Sequence, residues 1–347
     1  MKELTDFSKN FKKDFTPRIQ DSTKLVRSLK EKDILKDKIV DAYVIIFRTQ
    51  GCSWAHRSGC TMCGYFNDSL WNNVPDKDIL KQFDSAMKNY SGEKFVKIFT
   101  SGSFFDDKEI KPKVRNNILQ KLFESAEKVS VESRPEYITN KTMSEIKDGF
   151  QKKTFEIGIG LETANDFVRE HAINKGFSFV DYEKAARILK KNDIKLKTYV
   201  LIKPPFLTEK ESIEDSVSTV DKIKTYTDIV SFNPTNVQRN TVVEYLWKRK
   251  QYRPAWLWSV VEVLKKSKKM TSIGIKCDIV GGGSIRGAHN CNECDRTFLD
   301  AISDFSLSQD AKVFNELECN CKEKWLDQLD IENLSFGSII DCSGRYP

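Results

Sequence analysis

The feature of the sequence that most constrains its fold is a series of six short apolar runs, each separated from the next by a longer segment. The runs are rich in β-branched and aromatic residues. Runs of this kind predict strands that are buried on both faces, as in a parallel sheet covered by helices. They cover approximately residues 42–49, 95–101, 128–133, 154–162, 195–203 and 228–234.

The segments between the runs predict helices. Ile79 and Phe83 fall on one helical face after a cap at Asp76, and Thr208 and Glu211 have the spacing of a capping box. Six strand-and-helix units predict an α/β fold, namely a partial (β/α)6 barrel of the TIM type with a small C-terminal cysteine-rich module. In such barrels, functional groups lie on the loops that leave the carboxyl ends of the strands.

We predict three segments along the chain. Residues 1–40 are charged, lack glycine and have apolar positions at helical spacing, which predicts a helical extension. Residues 41–267 contain the six strand-and-helix units and form the barrel. Residues 268–347 hold six of the nine cysteines and form the C-terminal module.

Composition and charge narrow the functional classes. The chain has 57 Lys and Arg residues against 50 Asp and Glu residues, and a net charge of +7 favours a polyanionic partner. The charged N-terminus is unlike a signal peptide, and no apolar run reaches the roughly 20 residues that span a bilayer. We therefore expect a cytoplasmic protein without a membrane partner, whose paired cysteines serve metal or redox chemistry rather than disulfides.

Three cysteines lie on the loop after the first predicted strand, in QGCSWAHRSGCTMCGYFND. They are Cys52, Cys60 and Cys63. A structural zinc ion requires a fourth ligand, whereas three thiolates on a 4Fe-4S cluster leave one iron open for a further ligand. His56 lies within the loop and offers a fourth zinc ligand, so a structural zinc loop is the alternative interpretation.

A second group of cysteines lies in the C-terminal module, as one C-x-x-C and one C-x-C pair. Two such pairs predict a zinc site with four thiolate ligands. His289 and Cys277 are alternative ligands, and a second iron–sulfur cluster or unligated thiols are the other interpretations. The predicted ligands are Cys291, Cys294, Cys319 and Cys321.

The cysteine loop and its place after the first strand resemble those of the radical SAM superfamily, over about residues 40–250. The first gap of seven residues is longer than the usual three, as in tRNA-modifying members related to the Elongator catalytic subunit. The resemblance implies a 4Fe-4S cluster on Cys52, Cys60 and Cys63. It also implies that the open iron binds S-adenosylmethionine (SAM) and that a 5'-deoxyadenosyl radical then takes hydrogen from the substrate.

The same resemblance implies a SAM-binding role for residues at the ends of the later strands. Thr100-Ser101-Gly102-Ser103 stands where the family often has Gly-Gly-Glu, and the glutamate is missing. An ordinary turn is the alternative at this point, and an internal salt bridge is the alternative for Glu132 with Arg134. The candidate SAM-binding residues are Ser101, Gly102, Ser103, Glu132, Arg134, Glu162, Lys203 and Asn233.

A basic and aromatic stretch, EYLWKRKQYRPAWLW, follows the barrel. Cations interleaved with aromatic rings are typical of RNA-binding surfaces, although a helix with tryptophans in the core and charges in water has the same composition. An arginine in the later GSIRG turn is a further candidate phosphate contact. The predicted tRNA-binding residues are Lys248, Arg249, Lys250, Arg253 and Arg286.

The segments GCSWAHRSGCTMCGY, ESRPEYI and GSIRGAHNCNEC are similar to those of the archaeal RaSEA family of archaeosine synthase subunits. This resemblance implies a carbon–nitrogen lyase that acts on tRNA whose D-arm preQ0 base carries a lysine added by the transferase ArcS. Ferredoxin or flavodoxin is the expected kind of electron donor. The alternatives are an Elongator-like enzyme of wobble uridine, which needs an acetyltransferase domain longer than residues 268–347, and a non-catalytic zinc-stabilised RNA-binding protein.

Overall fold

The computed structural model describes residues 2–13, 20–150 and 153–335, and its centre is an eight-stranded sheet. The strands follow one another in the sheet in the order of the sequence. They are β1 (Arg27–Leu35), β2 (Lys38–Ile46), β3 (Phe95–Phe99), β4 (Lys128–Glu132), β5 (Thr154–Glu162), β6 (Lys195–Ile202), β7 (Ile229–Pro234) and β8 (Gly274–Cys277).

Helices cover the outer face of this sheet and follow its strands. They are α1 (Lys2–Lys13), α2 (Ser53–Arg57), α3 (Asp76–Met87), α4 (Pro112–Ser125), α5 (Asn140–Phe150), α6 (Asp166–Val168), α7 (Phe179–Lys191), α8 (Glu209–Ile223), α9 (Val242–Lys248), α10 (Leu257–Met270), α11 (Asp295–Ser308) and α12 (Cys321–Ser335). A π-helical turn, Arg169–Ile173, continues α6.

The sheet is an open half-barrel. β1 and β2 are antiparallel and are joined through Lys36 and Asp37, whose positive φ angles of 49° and 61° suit a two-residue hairpin turn. β2 to β8 are all parallel. At the open side, Lys276 of β8 forms an ion pair with Asp33 of β1, so that side chains link the two edge strands.

The predicted α/β partial barrel and its C-terminal group of cysteines are confirmed, and the six predicted strands correspond to β2 to β7. The predicted helical character of residues 1–40 is wrong for residues 27–35, which form β1. In this strand the apolar residues are few because its acidic side chains, Glu31 and Asp33, meet lysines of the barrel interior. β8 lies within the predicted C-terminal module and extends the sheet past residue 268.

Local signals explain where several helices begin. The predicted capping box of α8 is present, since the Thr208 hydroxyl accepts from the Glu211 N–H and the Glu211 carboxylate accepts from the Thr208 N–H. Asp76, predicted as a cap, is instead the first residue of α3, and Pro75 takes the N-cap position. The last residues of the predicted module, 336–347 with Cys342, lie outside the described part of the chain.

The main core lies between the sheet and the helices. Outward-facing side chains such as Ile98 and Ile157 pack against helix residues such as Phe83 and Leu122, and all are almost fully buried. Within the described part of the chain, no helix is both long enough and apolar enough to cross a membrane.

Candidate cofactor site and cysteine cluster

A cavity of about 720 Å³ opens at the carboxyl ends of the parallel strands. Its walls come from the loop after β2, from the ends of β3 to β7 and from the segment after β8. The cavity brings together most residues that the sequence analysis placed at the cofactor site. Those that line it are Cys52, Cys60, Cys63, Ser101, Gly102, Glu132, Arg134, Glu162 and Asn233.

The cysteine loop is held by short-range contacts and by α1. Cys52 is the N-cap of α2, and the Cys63 N–H donates to the Cys60 carbonyl oxygen at 3.4 Å. The Lys12 ammonium of α1, which the sequence analysis did not single out, donates to the carbonyl oxygens of Ala55 and Ser58 and also lines the cavity. The N-terminal helix therefore supports the loop directly.

Burial disfavours the thiolate form of two loop cysteines, Cys52 and Cys63. It raises the pKa of Cys52, against an opposing effect of the Arg134 guanidinium, and it raises the pKa of Cys63 to about 12. Such thiols are protonated at neutral pH unless a metal replaces the proton. His56, the alternative zinc ligand, is exposed, and its Nε2 lies 3.0 Å from the Gln50 carbonyl oxygen.

Gly102 lies where the loop after β3 passes close to the cysteine loop. A Cβ at this position would lie 2.7 Å from the Cys52 Cα and would collide with the Glu109 carboxylate. Glu109 is 4% exposed and accepts hydrogen bonds from the Thr49 hydroxyl and the Ser103 N–H. Burial raises its pKa to about 7. Glu109, which no sequence motif marks, thus links the start of the cysteine loop at Thr49 to the loop after β3 at Ser103.

Arg134 reaches the cavity from the end of β4 and keeps one nitrogen free. Its Nε donates to Glu136 at 2.6 Å and its Nη1 donates to the Lys175 carbonyl oxygen at 3.0 Å. Its Nη2 is buried without a hydrogen-bond partner among the described residues. A buried, unpaired guanidinium nitrogen beside a cavity is suited to a carboxylate of a bound molecule.

Glu162 and Lys175 form a second charged group on the same wall. Their side chains are bonded to each other, and both line the cavity. Burial disfavours the charged form of Lys175, but Glu162 and the nearby Cys60 outweigh it, so the pKa of Lys175 is raised. A Cβ at Gly160 would lie 2.6 Å from the Glu162 carboxylate and 2.8 Å from the Lys175 ammonium, so this glycine leaves the space that the pair occupies.

Glu132 also lines the cavity and does not pair with Arg134, which bonds to Glu136 instead. The Tyr199 hydroxyl, which lines the same cavity, donates to the Glu132 carboxylate. Burial raises the pKa of Glu132 to about 7, although this hydrogen bond acts in the opposite direction.

Two predicted cofactor residues lie outside the lining of this cavity. Ser103 is buried, and its hydroxyl accepts from the Arg134 N–H at 3.0 Å. Lys203 is 3% exposed and forms ion pairs with Glu209 and, at 3.6 Å, with Glu332. Both residues support the surrounding structure in this arrangement.

The second group of cysteines is tightly assembled. The four ligand atoms lie within 4.8 Å of one another, and three of the sulfur pairs are 3.6 to 3.8 Å apart. A tetrahedron with Zn–S bonds of about 2.3 Å has edges of about 3.8 Å, so these thiols fit a zinc ion. The group consists of Cys291, Cys294, Cys319 and Cys321.

Neighbouring groups orient these thiols. The Trp258 indole N–H lies 3.3 Å from the Cys321 sulfur, and the Asn290 side-chain nitrogen lies 3.3 Å from the Cys294 sulfur. The alternative ligands are engaged elsewhere. The His289 Nδ1 lies 2.8 Å from the Gly287 carbonyl oxygen, and Cys277 is buried at the end of β8.

The basic stretch divides into exposed and bonded residues. Lys248, Arg249 and Lys250 are exposed at the end of α9, where the Arg249 guanidinium stacks 3.6 Å from the centre of the Tyr245 ring. Lys248 also forms an ion pair with Glu244 at 3.4 Å, although its side chain stays exposed. The other two predicted tRNA-binding residues are only partly exposed and have partners within the protein. Arg253 donates to the carbonyl oxygens of Pro254, His289 and Asn290, and Arg286 pairs with Glu244 at 2.7 Å.

A half-barrel with three cysteines on the loop after its first parallel strand indicates a class of iron–sulfur enzymes, the radical SAM superfamily. The family model for the radical SAM superfamily matches residues 46–220, and the chain belongs to this superfamily. A radical SAM methyltransferase from Sphaerobacter thermophilus has a similar fold, with a TM-score of 0.50, 10% identity, and coverage of 80% of this chain and 77% of that chain.

Closer relatives define the family within this class. Archaeosine synthase subunit beta of Methanosarcina acetivorans is 40% identical over 89% of this chain and 90% of its own length. The protein of the same name from Thermococcus kodakarensis is 41% identical over 82% of this chain and 90% of its own length. The chain belongs to the archaeosine synthase subunit beta family of radical SAM proteins.

Proposed function

We propose that this chain completes archaeosine formation in tRNA by cleaving a carbon–nitrogen bond in the lysyl group on the preQ0 base. One observation carries the proposal most strongly. Cys52, Cys60 and Cys63 line the same cavity as Arg134, whose buried Nη2 has no hydrogen-bond partner among the described residues. Three thiols supply the incomplete ligand set that a SAM-binding cluster requires, and the arginine supplies a partner for a carboxylate.

In this proposal Cys52, Cys60 and Cys63 would hold a 4Fe-4S cluster, which with three protein ligands could also bind SAM. When bound, the cluster and SAM would supply the radical chemistry that removes a hydrogen atom from a carbon of the lysyl group. Arg134 and Lys175 offer cations to a carboxylate, and Glu162 offers an acceptor to an ammonium. Ser101, Gly102 and Asn233 complete the walls of the cavity.

We propose a structural zinc ion at Cys291, Cys294, Cys319 and Cys321. The spacing of the sulfur atoms supports zinc, and four thiolates leave no open position for substrate. The site links the start of α11 to the start of α12. A metal here therefore stabilises the helices that lie against the barrel.

We propose that tRNA binds through the exposed cations Lys248, Arg249 and Lys250 at the end of α9. Arg253 and Arg286 stay candidates for indirect roles, because their guanidinium groups already have protein partners. The transferase ArcS supplies the lysine-bearing tRNA, and a ferredoxin or flavodoxin supplies the electron. We propose the cytoplasm as the location of this reaction.

Anaerobic reconstitution tests the cofactor. We expect about four irons per chain in the barrel site and release of 5'-deoxyadenosine from SAM under a strong reductant. The triple substitution C52A/C60A/C63A should abolish both. Cys277→Ala, which removes a buried thiol outside both cysteine groups, is the matched control and should retain both. Unchanged SAM cleavage by the triple variant contradicts the proposed cluster site.

Mass spectrometry of tRNA nucleosides tests the reaction. With tRNA that ArcS has already treated, the reconstituted protein should produce archaeosine and consume the lysine adduct. The triple cysteine variant should leave the adduct unchanged. A modified wobble uridine in place of archaeosine supports the Elongator-like alternative and refutes the proposed reaction.

A further inference from the structure

The interior of the half-barrel is charged, although barrel interiors are ordinarily filled by branched apolar side chains. Lys97, Lys197 and Lys276 point into it together with Asp33 and Glu156, and all five are at least nine-tenths buried. Replacing buried ion pairs by apolar residues of similar volume is often neutral or stabilising. The stability of the fold therefore does not explain why these charged residues are buried in the interior, whereas the binding of a charged ligand there would explain it.

The charges mark the point where two cavities meet. A second cavity, of about 540 Å³, lies between β1, β8 and α11. Five residues line both cavities, and four of them are charged. The five are Glu31, Lys97, Lys197, Asp278 and Ile279. We call the four charged residues the junction.

The junction offers charges of both signs on different strands. Lys97 pairs with Glu31 and Asp33, and Lys197 lies 3.3 Å from Glu156. Asp278 accepts a hydrogen bond from Ser231 at 2.9 Å, and no cation of the described residues lies within ion-pairing distance of it. Acceptor capacity at Asp278 is thus available to a ligand.

This arrangement selects for a zwitterion. A ligand that is only an anion would be attracted by the lysines but repelled by the carboxylates of Asp278 and Glu31. A ligand that is only a cation would be attracted by these carboxylates but repelled by the lysines. An α-amino acid group carries an ammonium and a carboxylate on one carbon and satisfies both kinds of partner.

A separate set of charges serves the cysteine end of the first cavity. Arg134, Glu162 and Lys175 act electrostatically on the loop thiols or on each other, and none of them lines the second cavity. The cofactor and the junction ligand therefore have different partners. A lysyl chain whose ε-nitrogen is attached to a base near the cysteines would extend toward the junction.

We propose that the junction binds the α-ammonium and α-carboxylate of the substrate's lysyl group, with Lys197 contacting the carboxylate and Asp278 contacting the ammonium. This subsite rests on the proposed function, because it assumes a lysine-bearing substrate. It determines specificity by holding the end of the side chain remote from the reacting carbon.

Analogues of the adduct test the subsite. The preQ0 base in tRNA is converted to its lysine adduct, to a cadaverine adduct without the α-carboxylate, or to a 6-aminohexanoate adduct without the α-ammonium. Archaeosine formation then gives kcat and KM for each. We expect wild type to prefer the lysine adduct over each analogue by about tenfold or more, the usual effect of one charged hydrogen bond.

Two variants assign the partners. Lys197→Met should lose the preference over the cadaverine adduct and keep the preference over the aminohexanoate adduct, and Asp278→Asn should do the opposite. Lys195→Met removes an exposed lysine from the same strand, paired with Asp228, and is the matched control that keeps both preferences. Asp278 is itself exposed, so its variant should fold normally.

Equal use of all three adducts by wild type, or unchanged preferences in both variants, overturns the subsite and leaves the proposed function intact. Absence of archaeosine from every adduct, with normal release of 5'-deoxyadenosine, overturns the proposed function instead. In that case, titration of the SAM-loaded protein with Nε-acetyllysine judges the subsite alone. Equal affinity of wild type and Lys197→Met then refutes it.

Discussion

Adding one methyl group at Gly102 should displace Cys52 and so impair cluster binding, although Gly102 itself has no side chain that could bind the cluster. The Cβ of alanine would lie 2.7 Å from the Cys52 Cα and 3.0 Å from the Cys52 nitrogen, and it would overlap the Glu109 carboxylate. Carbon atoms in contact are ordinarily about 3.5 to 4.0 Å apart. The alanine therefore requires a shift of about 1 Å.

The neighbours of Gly102 cannot move freely. Glu109 is buried and is held by Thr49 and Ser103, and the other contacts are to the backbone of Cys52. Overpacking at rigid sites costs about 1 to 3 kcal/mol, and contacts to backbone favour the upper half of that range. We expect Gly102→Ala to lower the free energy of unfolding by about 2 to 3 kcal/mol and to displace Cys52 from its ligand position.

Anaerobic urea denaturation of the iron-free protein measures the first effect, and iron content after reconstitution measures the second. Gly149→Ala is the matched control, since a Cβ there meets nothing within 4 Å and the residue lies in α5. A helical alanine should stabilise by about 0.5 to 1 kcal/mol and leave iron unchanged. If Gly102→Ala matches wild type in both measurements, the close approach of the two loops is refuted.

Three further substitutions probe other parts of the chain. Glu132→Gln should gain stability relative to wild type as pH rises from 4.5 to 7, because the raised folded pKa of about 7 makes ionisation of Glu132 costly in the folded protein. If the difference in urea midpoint between variant and wild type is the same at pH 5 and pH 8, this prediction is wrong. Cys321→Ser should lower zinc below one ion per chain and change Trp258 fluorescence, and retained zinc argues against four thiolate ligands. Alanines at residues 248–250 should reduce the salt dependence of tRNA binding, measured by fluorescence anisotropy, with a slope change of about 2 to 3. An equal effect from alanines on α10 at Lys265, Lys266 and Lys269 would show that location is unimportant.

The parallel strands and the cysteine loop were predictable because their signals are local. A strand that is covered by helices on its outer face and has neighbours on both edges is rich in β-branched and aromatic residues, as in FVKIF of β3 and KLKTYVLI of β6. This pattern persists although Lys97 and Lys197 of these strands face the charged interior. The capping box of α8 is likewise complete within four residues. The zinc site was predictable because each half of it is a local motif: Cys291 and Cys294 form C-x-x-C, and Cys319 and Cys321 form C-x-C.

The missing elements depend on distant partners. β1 is charged along most of its length. Its Glu31 and Asp33 form ion pairs with Lys97, which lies more than 60 residues away in the sequence. β8 has only four residues and no strong strand pattern of its own. Lys175 and Glu109 carry no motif, and only the fold brings them beside Glu162 and Gly102.

A long-range ion pair also links the two edges at the open side of the barrel. β1 runs antiparallel to β2 and is an edge strand of the sheet, with β8 at the other edge. The ion pair between Asp33 and Lys276 links these edges through side chains, whereas a continuous ladder of backbone hydrogen bonds would close the barrel. Side chains exchange partners more readily than a ladder does. The proposed partners of the substrate arm, Lys197 and Asp278, line the second cavity together with this ion pair, so the arm can bind to their side chains without breaking the sheet.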